Sequence, residues 1–281
     1  MTWKVGSVVV RTIVEQSHSV PLDMVLSLEE QEEWTRRHPW LQPHYLVDDR
    51  TCRLAVQGFV VDDGATVVLV DTCVGSSDDV RDGPTGPFVE QLVAAGYSVE
   101  AVDIVVCTHL HFDHVGWNTH LVGDEWRVTF PHARYVFARP EWEHWSSTPD
   151  PLVNLDERVR PVVEAGRAEI VEIPIQLTEA VQLIATPGHT PGHISVAIAS
   201  GGQRAVITGD MLHHPLQIAE PHLGSVADHD AAAAAATRAR CLQEWEHDDV
   251  LVVGTHFAPP AAGRLRPDGQ GWRLEPPTDG G

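Results

Sequence analysis

Apolar positions along the 281-residue chain fall into short runs of strand length, set apart by clusters of turn-forming residues. Residues 102–107, 181–185, 204–208 and 250–253 are such runs, too short for helices and rich in valine and isoleucine, as buried strands are. Residues 54–61 and 65–70 flank Asp62-Asp63-Gly64, a hairpin turn signal. Residues 5–13 alternate well enough for an opening strand, and 133–137 predict another. Helical spacing takes over elsewhere. Residues 87–96 open at Pro87 and close at Gly96. Residues 28–38 form a polar helix, with Ser27 and Glu30 placed as a capping box. Residues 139–166 are helical and carry Trp142 and Trp145, and 231–246 form an alanine-rich helix. The order strand, helix 87–96, strand is a β-α-β unit. The chain is expected to fold as mixed α/β.

Four of the apolar runs end in residues able to bind metal. Run 102–107 leads into Thr108-His109-Leu110-His111-Phe112-Asp113-His114. In extended backbone, residues two apart share a side, so His109 and His111 can grip one cation together. Asp113 and His114 come where a helix could start and can serve a second. Run 181–185 leads to Thr186-Pro187-Gly188-His189, 204–208 to Gly209-Asp210, and 250–253 to Gly254-Thr255-His256. In three of the four, a glycine or Pro-Gly turn lets the backbone bend sharply. Ligands at strand ends converge on one edge of a sheet sandwich, and imidazole with carboxylate is the donor set of zinc and related metals.

His-x-His-x-Asp-His, Pro-Gly-His, Gly-Asp and Gly-Thr-His, in this order from about Arg53 to His256, resemble the metallo-β-lactamase superfamily of hydrolases. The resemblance implies a four-layer αββα sandwich. It also implies a first cation held by His109, His111 and His189, and a second by Asp113, His114 and His256, with Asp210 bridging. Two divalent ions are expected, zinc first, with iron, manganese or cobalt also compatible. Such a pair lowers the pKa of a shared water from 15.7 towards about 7, giving a bridging hydroxide that attacks while Asp113 accepts a hydrogen bond from it. No G-x-S-x-G nucleophile motif is present. The superfamily commonly carries Asp-Thr-Gly where this chain has Asp71-Thr72-Cys73. Asp71 is expected either to support a ligand or to cap a loop.

Composition narrows the substrate. The formal net charge is −21 with Lys4 the only lysine, which excludes nucleic acid and anionic membrane as partners. True β-lactamases of the superfamily often use a lysine shortly before the last histidine, and none stands here. His213 follows Asp210 by three residues, where acyl-homoserine lactonases typically carry tyrosine; Gly-Asp-x-x-His is nearer the lactonase and methyl-parathion-hydrolase-like branch. His213 is thus a candidate acid or oxyanion donor, and His193 a support for the ligands rather than a ligand. Trp117, Trp142 and Trp145 are candidate walls of an apolar pocket.

The expected function is hydrolysis of a small, largely apolar lactone, ester or phosphotriester. β-Lactamase or glyoxalase-II-like thioesterase activity, an iron-binding oxidoreductase and a non-catalytic binding protein are the alternatives. We expect one domain over 1–281, with an N-terminal extension (1–50), a helical insertion and lid candidate (139–166) and a C-terminal tail (259–281) holding little beyond a short closing strand. The scattered Cys52, Cys73, Cys107 and Cys241 suggest reduced thiols. No secretion signal or membrane span is read, so a cytoplasmic protein is expected, as a monomer or homodimer.

Overall fold

The computed structural model describes residues 1–28, 31–80 and 83–277. Glu30 of the expected capping box lies outside them. The first half of the chain supplies β1 (Thr2–Val5), β2 (Val8–Pro21), β3 (Thr51–Asp62), β4 (Val67–Val70), β5 (Ile104–Val106), a small separate hairpin of β6 (Thr119–Val122) and β7 (Glu125–Val128), then β8 (Arg134–Ala138) and β9 (Ala168–Val171). The second half supplies β10 (Ile175–Gln176), β11 (Val181–Ala185), β12 (Ile194–Ser200), β13 (Gln203–Ile207), β14 (Leu251–Val253), β15 (Ala262–Asp268) and β16 (Gly271–Glu275). Two seven-stranded sheets result, in the orders β1-β2-β3-β4-β5-β8-β9 and β10 through β16.

Alternation along the strands makes the layers. Val68, Val70, Ile104, Val106 and Val136 point inwards and meet Leu183, Val196, Ile207, Leu251 and Val253 of the other sheet. Leu69, Val105 and Tyr135, one residue out of phase, point outwards and are covered by Phe88, Val89 and Leu92 of a helix, α2 (Pro87–Ala94). The second sheet's outer face, through Val206 and Val252, is covered by Cys241, Leu242 and Trp245 of a long helix. Helix, sheet, sheet, helix is the expected four-layer order. The remaining helices are α1 (Gln31–Arg37), α3 (Phe112–Val115), α4 (Arg139–Ser147), α5 (Leu155–Arg158), α6 (Arg160–Glu164) and α7 (Leu216–Ala219), the long one being α8 (Ala231–His247). Among the described residues, no helix is long and apolar enough to cross a membrane.

The tail holds more than one short strand. β15 and β16 form an antiparallel hairpin on β14, and Ala262, Leu265 and Leu274 are buried in it. β2 likewise pairs with β3 from Val9 to Pro21, so the N-terminal segment is part of the first sheet. Parallel pairing of β4 with β5, and of β13 with β14, puts the C-terminal ends of each pair side by side. The motif residues follow those ends.

Candidate metal centre

Four of the candidate ligand imidazoles are oriented through Nδ1 by a neighbouring group. Asp71 leaves β4 and accepts from Thr108 N (2.7 Å), Thr108 Oγ1 (2.8 Å) and His114 Nδ1 (2.9 Å). Because Thr108 Oγ1 spends its proton on Asp71, it accepts from His109 Nδ1 (3.1 Å). One buried carboxylate therefore orients imidazoles of both expected cation sets. Asp228 Oδ1 lies 3.2 Å from His189 Nδ1, while its Oδ2 accepts from Ser225 N and lies 3.3 Å from Arg238 Nη1. Burial alone would raise the Asp228 pKa, but the bond from His189 and its other donors hold it below the usual carboxylate range. His256 Nδ1 donates to the Ala55 carbonyl on β3 (2.9 Å).

These bonds fix which nitrogens turn inwards. With Nδ1 of His109, His189, His114 and His256 turned outwards onto these partners, each Nε2 faces the centre. His189 Nε2 lies 3.2 Å from His109 Nε2 and 3.1 Å from His111 Nδ1. Burial holds both His111 and His189 down to about 4, so they are neutral at pH 7. Three imidazole nitrogens gathered this closely can share one cation. On the other side, Asp210 Oδ1 lies 3.3 Å from His114 Nε2 and 3.2 Å from His256 Nε2, and Asp113 Oδ2 lies 3.5 Å from His256 Nε2. Burial would lower the His256 pKa, yet Asp210 and Asp113 push it up to about 9, a measure of the positive charge this spot demands. His114 Nε2 and Asp210 Oδ1 are buried without a hydrogen-bond partner. Asp210 Oδ2 turns to the first set, 3.8 Å from His109 Nε2 and 3.6 Å from His189 Nε2. Among the described residues the seven candidate ligands fall into overlapping triads, His109/His111/His189, His109/His114/Asp210 and Asp113/His114/His256, with a fourth joining His213 to His189 and Asp210, and their donor chemistry fits divalent ions.

His213 and His193 flank Asp210. His213 Nε2 is 3.2 Å from Asp210 Oδ2. His193 Nε2 accepts from the Asp210 backbone N–H (2.9 Å), and its Nδ1 donates to the Thr186 carbonyl (3.0 Å). Burial lowers the His193 pKa to about 3, which keeps it the neutral acceptor this requires.

A cavity of about 230 Å³ opens above the centre, with His111, Asp113, His189, Asp210, His213 and His256 at its base. It is also lined by Val20, Met24, Val25, Leu54, Val56, Phe112, Leu152, Val226 and Ala227, with His18 and Ser225. Among the described residues the lining includes no tryptophan, so the expected indole walls are corrected. Trp117 is fully buried, its Nε1 donating to Glu15 Oε1 at 2.6 Å. Trp145 is buried beside His111, with ring centroids 6.0 Å apart, and donates to Glu141. Trp142 packs on the first sheet's outer cluster. Tryptophan bulk near a motif gave no indication of which face it would take; buried N–H acceptors decided it.

Residues 53–256 match the sequence model of the metallo-beta-lactamase superfamily. The chain belongs to this superfamily. Among its relatives, an N-acyl homoserine lactonase of a Bacillus species is 31% identical over 111 residues, which are 40% of this chain and 38% of that protein. A probable metallo-hydrolase of Mycobacterium tuberculosis is 28% identical over 176 residues, 54% of each. The chain thus spans about half the length, or less, of these curated relatives. Two solved structures share the superfamily fold over nearly the whole chain. The dizinc quorum-quenching lactonase AidC, in complex with a product, has a TM-score of 0.81 at 18% identity, covering 99% of this chain and 97% of its own. The hydrolase AbOPH has a TM-score of 0.80 at 22% identity with the same coverage. The buried carboxylates Asp228 and Glu141 and the cavity lining at Ser225, Val226 and Ala227 were not read from the sequence; a carboxylate brought to a ligand loop only through tertiary contact leaves no local spacing to find.

Proposed function

We propose that the protein is a dinuclear metallohydrolase that opens small lactones bearing an apolar acyl group, with aryl esters and phosphotriesters as related substrates. The observation that carries this is the cavity: its base gathers His111, Asp113, His189, Asp210, His213 and His256, and most of its wall is aliphatic. Two divalent cations, zinc in our reading, supply Lewis acidity there, polarising an acyl or phosphoryl oxygen and acidifying water. The protein's own groups do the rest. His109, His111 and His189 would hold one ion, Asp113, His114 and His256 the other, with Asp210 shared between them. Asp113, largely buried at the cavity floor, would accept the hydrogen of the attacking water. His213, on the far side of Asp210, donates to the oxygen that leaves. The aliphatic walls bury the acyl chain and exclude bulk water from the reacting carbonyl. Relatives named as N-acyl homoserine lactonases favour the lactone end of this class.

A substrate panel on one zinc-loaded preparation tests the reading. Neutral acyl lactones and aryl esters are expected to exceed penicillins, carbapenems and glutathione thioesters in kcat/KM, because the chain is strongly acidic and offers anions few anchors. A β-lactam or glutathione thioester ahead by more than ~10-fold, about 1.4 kcal/mol in the transition state, would overturn it. Metal analysis should find two ions per chain.

A further inference from the structure

Within the 139–166 segment, the first turn of α4 is tied to two of the ligand loops. Glu141, in the first turn of α4, is buried, and its carboxylate reaches two ligand loops at once. Oε1 accepts from the backbone N–H of Leu110 (3.1 Å), the residue between His109 and His111, and from Trp145 Nε1 (2.7 Å). Oε2 accepts from the backbone N–H of Gly192 (2.9 Å), three residues beyond His189. All three partners are donors, so the group is matched as a carboxylate; a carboxylic acid would aim its proton at one of them. Approach is close: a Cβ on Gly192 would stand 2.1 Å from the Glu141 backbone nitrogen, which only glycine avoids. Trp145, held by the same carboxylate, packs against His111.

We propose that Glu141 is the positioning residue of the first cation site, fixing the spacing between the His109–His111 loop and the His189 loop. It touches no candidate ligand side chain and does not line the cavity, so it acts only through the two loops. The second set is oriented separately, by Asp71 for His114 and Ala55 for His256. Glu141 is therefore selective for one of two neighbouring ions. α4 follows as a clamp whose N-terminal turn stays on the site.

The proposal rests on the two-ion reading above, but its readout is metal retention, so the two can fail separately. Protein loaded with cobalt(II) is transferred into excess chelator, and loss of each ion is followed by metal analysis and by the visible cobalt spectrum. In Glu141→Gln the amide NH₂ must face at least one of the donors that the carboxylate accepts. One ion per chain is expected to leave about 10–100-fold faster than in the unaltered protein while the other leaves at its former rate, with the visible bands altered before chelation. Should that variant not fold, Trp145→Phe removes one donor and keeps the charge; a smaller acceleration of the same single ion is expected. Both ions leaving faster alike, or neither, would overturn the proposal and leave the function standing. An unaltered protein that takes up no cobalt would overturn both.

Discussion

Asp71 and His213 bear on the reaction from opposite sides of the ligands. Asp71 sits behind them with φ 58°, a left-handed conformation that aspartate tolerates better than most residues, and touches Thr108 and His114. Since Thr108 passes the contact to His109, Asp71→Asn should weaken both ions about 10–100-fold, seen as faster loss of two cobalt ions to chelator. Loss confined to one ion would show that the Thr108 relay carries nothing. His213 faces the cavity, and its Nδ1 is buried without a hydrogen-bond partner. His213→Ala should lower kcat on lactones by about 100-fold or more while two ions remain bound. If an ion is lost with it, His213 belongs to the coordination shell and the acid role falls. Cys73 shows why the superfamily prefers glycine at its position. Its φ is 54°, a strained conformation for a residue with a Cβ.

Among the elements, the strands that end in ligands were legible because two signals coincided, a valine-rich run and a histidine or aspartate just past a turn. The helix over 87–96 and the alanine-rich helix were legible from proline, glycine and propensity alone. The cavity wall was not. Part of it is built where the 22–26 turn meets the 223–228 loop: Ser27 N donates to Gly224 O (2.9 Å) and Val226 N to Val25 O (3.2 Å), about 200 residues apart in sequence. No periodicity records such a pairing. The same two segments place Met24 and Val226, 65% and 55% exposed, at the cavity mouth with Phe112 and Leu152. Large exposed apolar side chains gathered at one opening suit an acyl chain. Burial of each methylene contributes about 0.8 kcal/mol, roughly fourfold in kcat/KM. Val226→Asp should flatten the rise of kcat/KM with acyl length while leaving the shortest lactone nearly unaffected. An unchanged slope would place the chain against another wall.

For the whole molecule, acid sensitivity separates buried histidines from the rest of a −21 chain. His214 lies in the second sheet's outer core, its Nε2 donating to Tyr45 O (3.1 Å) and its Nδ1 accepting from Leu216 N (3.1 Å). Burial lowers its pKa to about 4, against 6.5 when unfolded. Between those values the unfolded chain binds the extra proton and the folded chain does not, so stability falls as pH drops. The contribution is complete above about pH 6.5 and lost progressively towards about pH 4. Other groups act in the opposite sense. Protonating surface carboxylates, for one, relieves self-repulsion in acid. A single profile therefore mixes signs, whereas the difference between two proteins of equal metal loading cancels the shared groups. His214→Gln can keep a donor for Tyr45 and does not titrate. Urea unfolding of both proteins from pH 7 to pH 4 should show the unaltered chain losing stability faster, by about 1 kcal/mol for each pH unit below 6.5. Parallel profiles would mean that His214 takes up its proton in the folded state as easily as in the unfolded one. Its bond to Tyr45 would then not depend on a neutral ring.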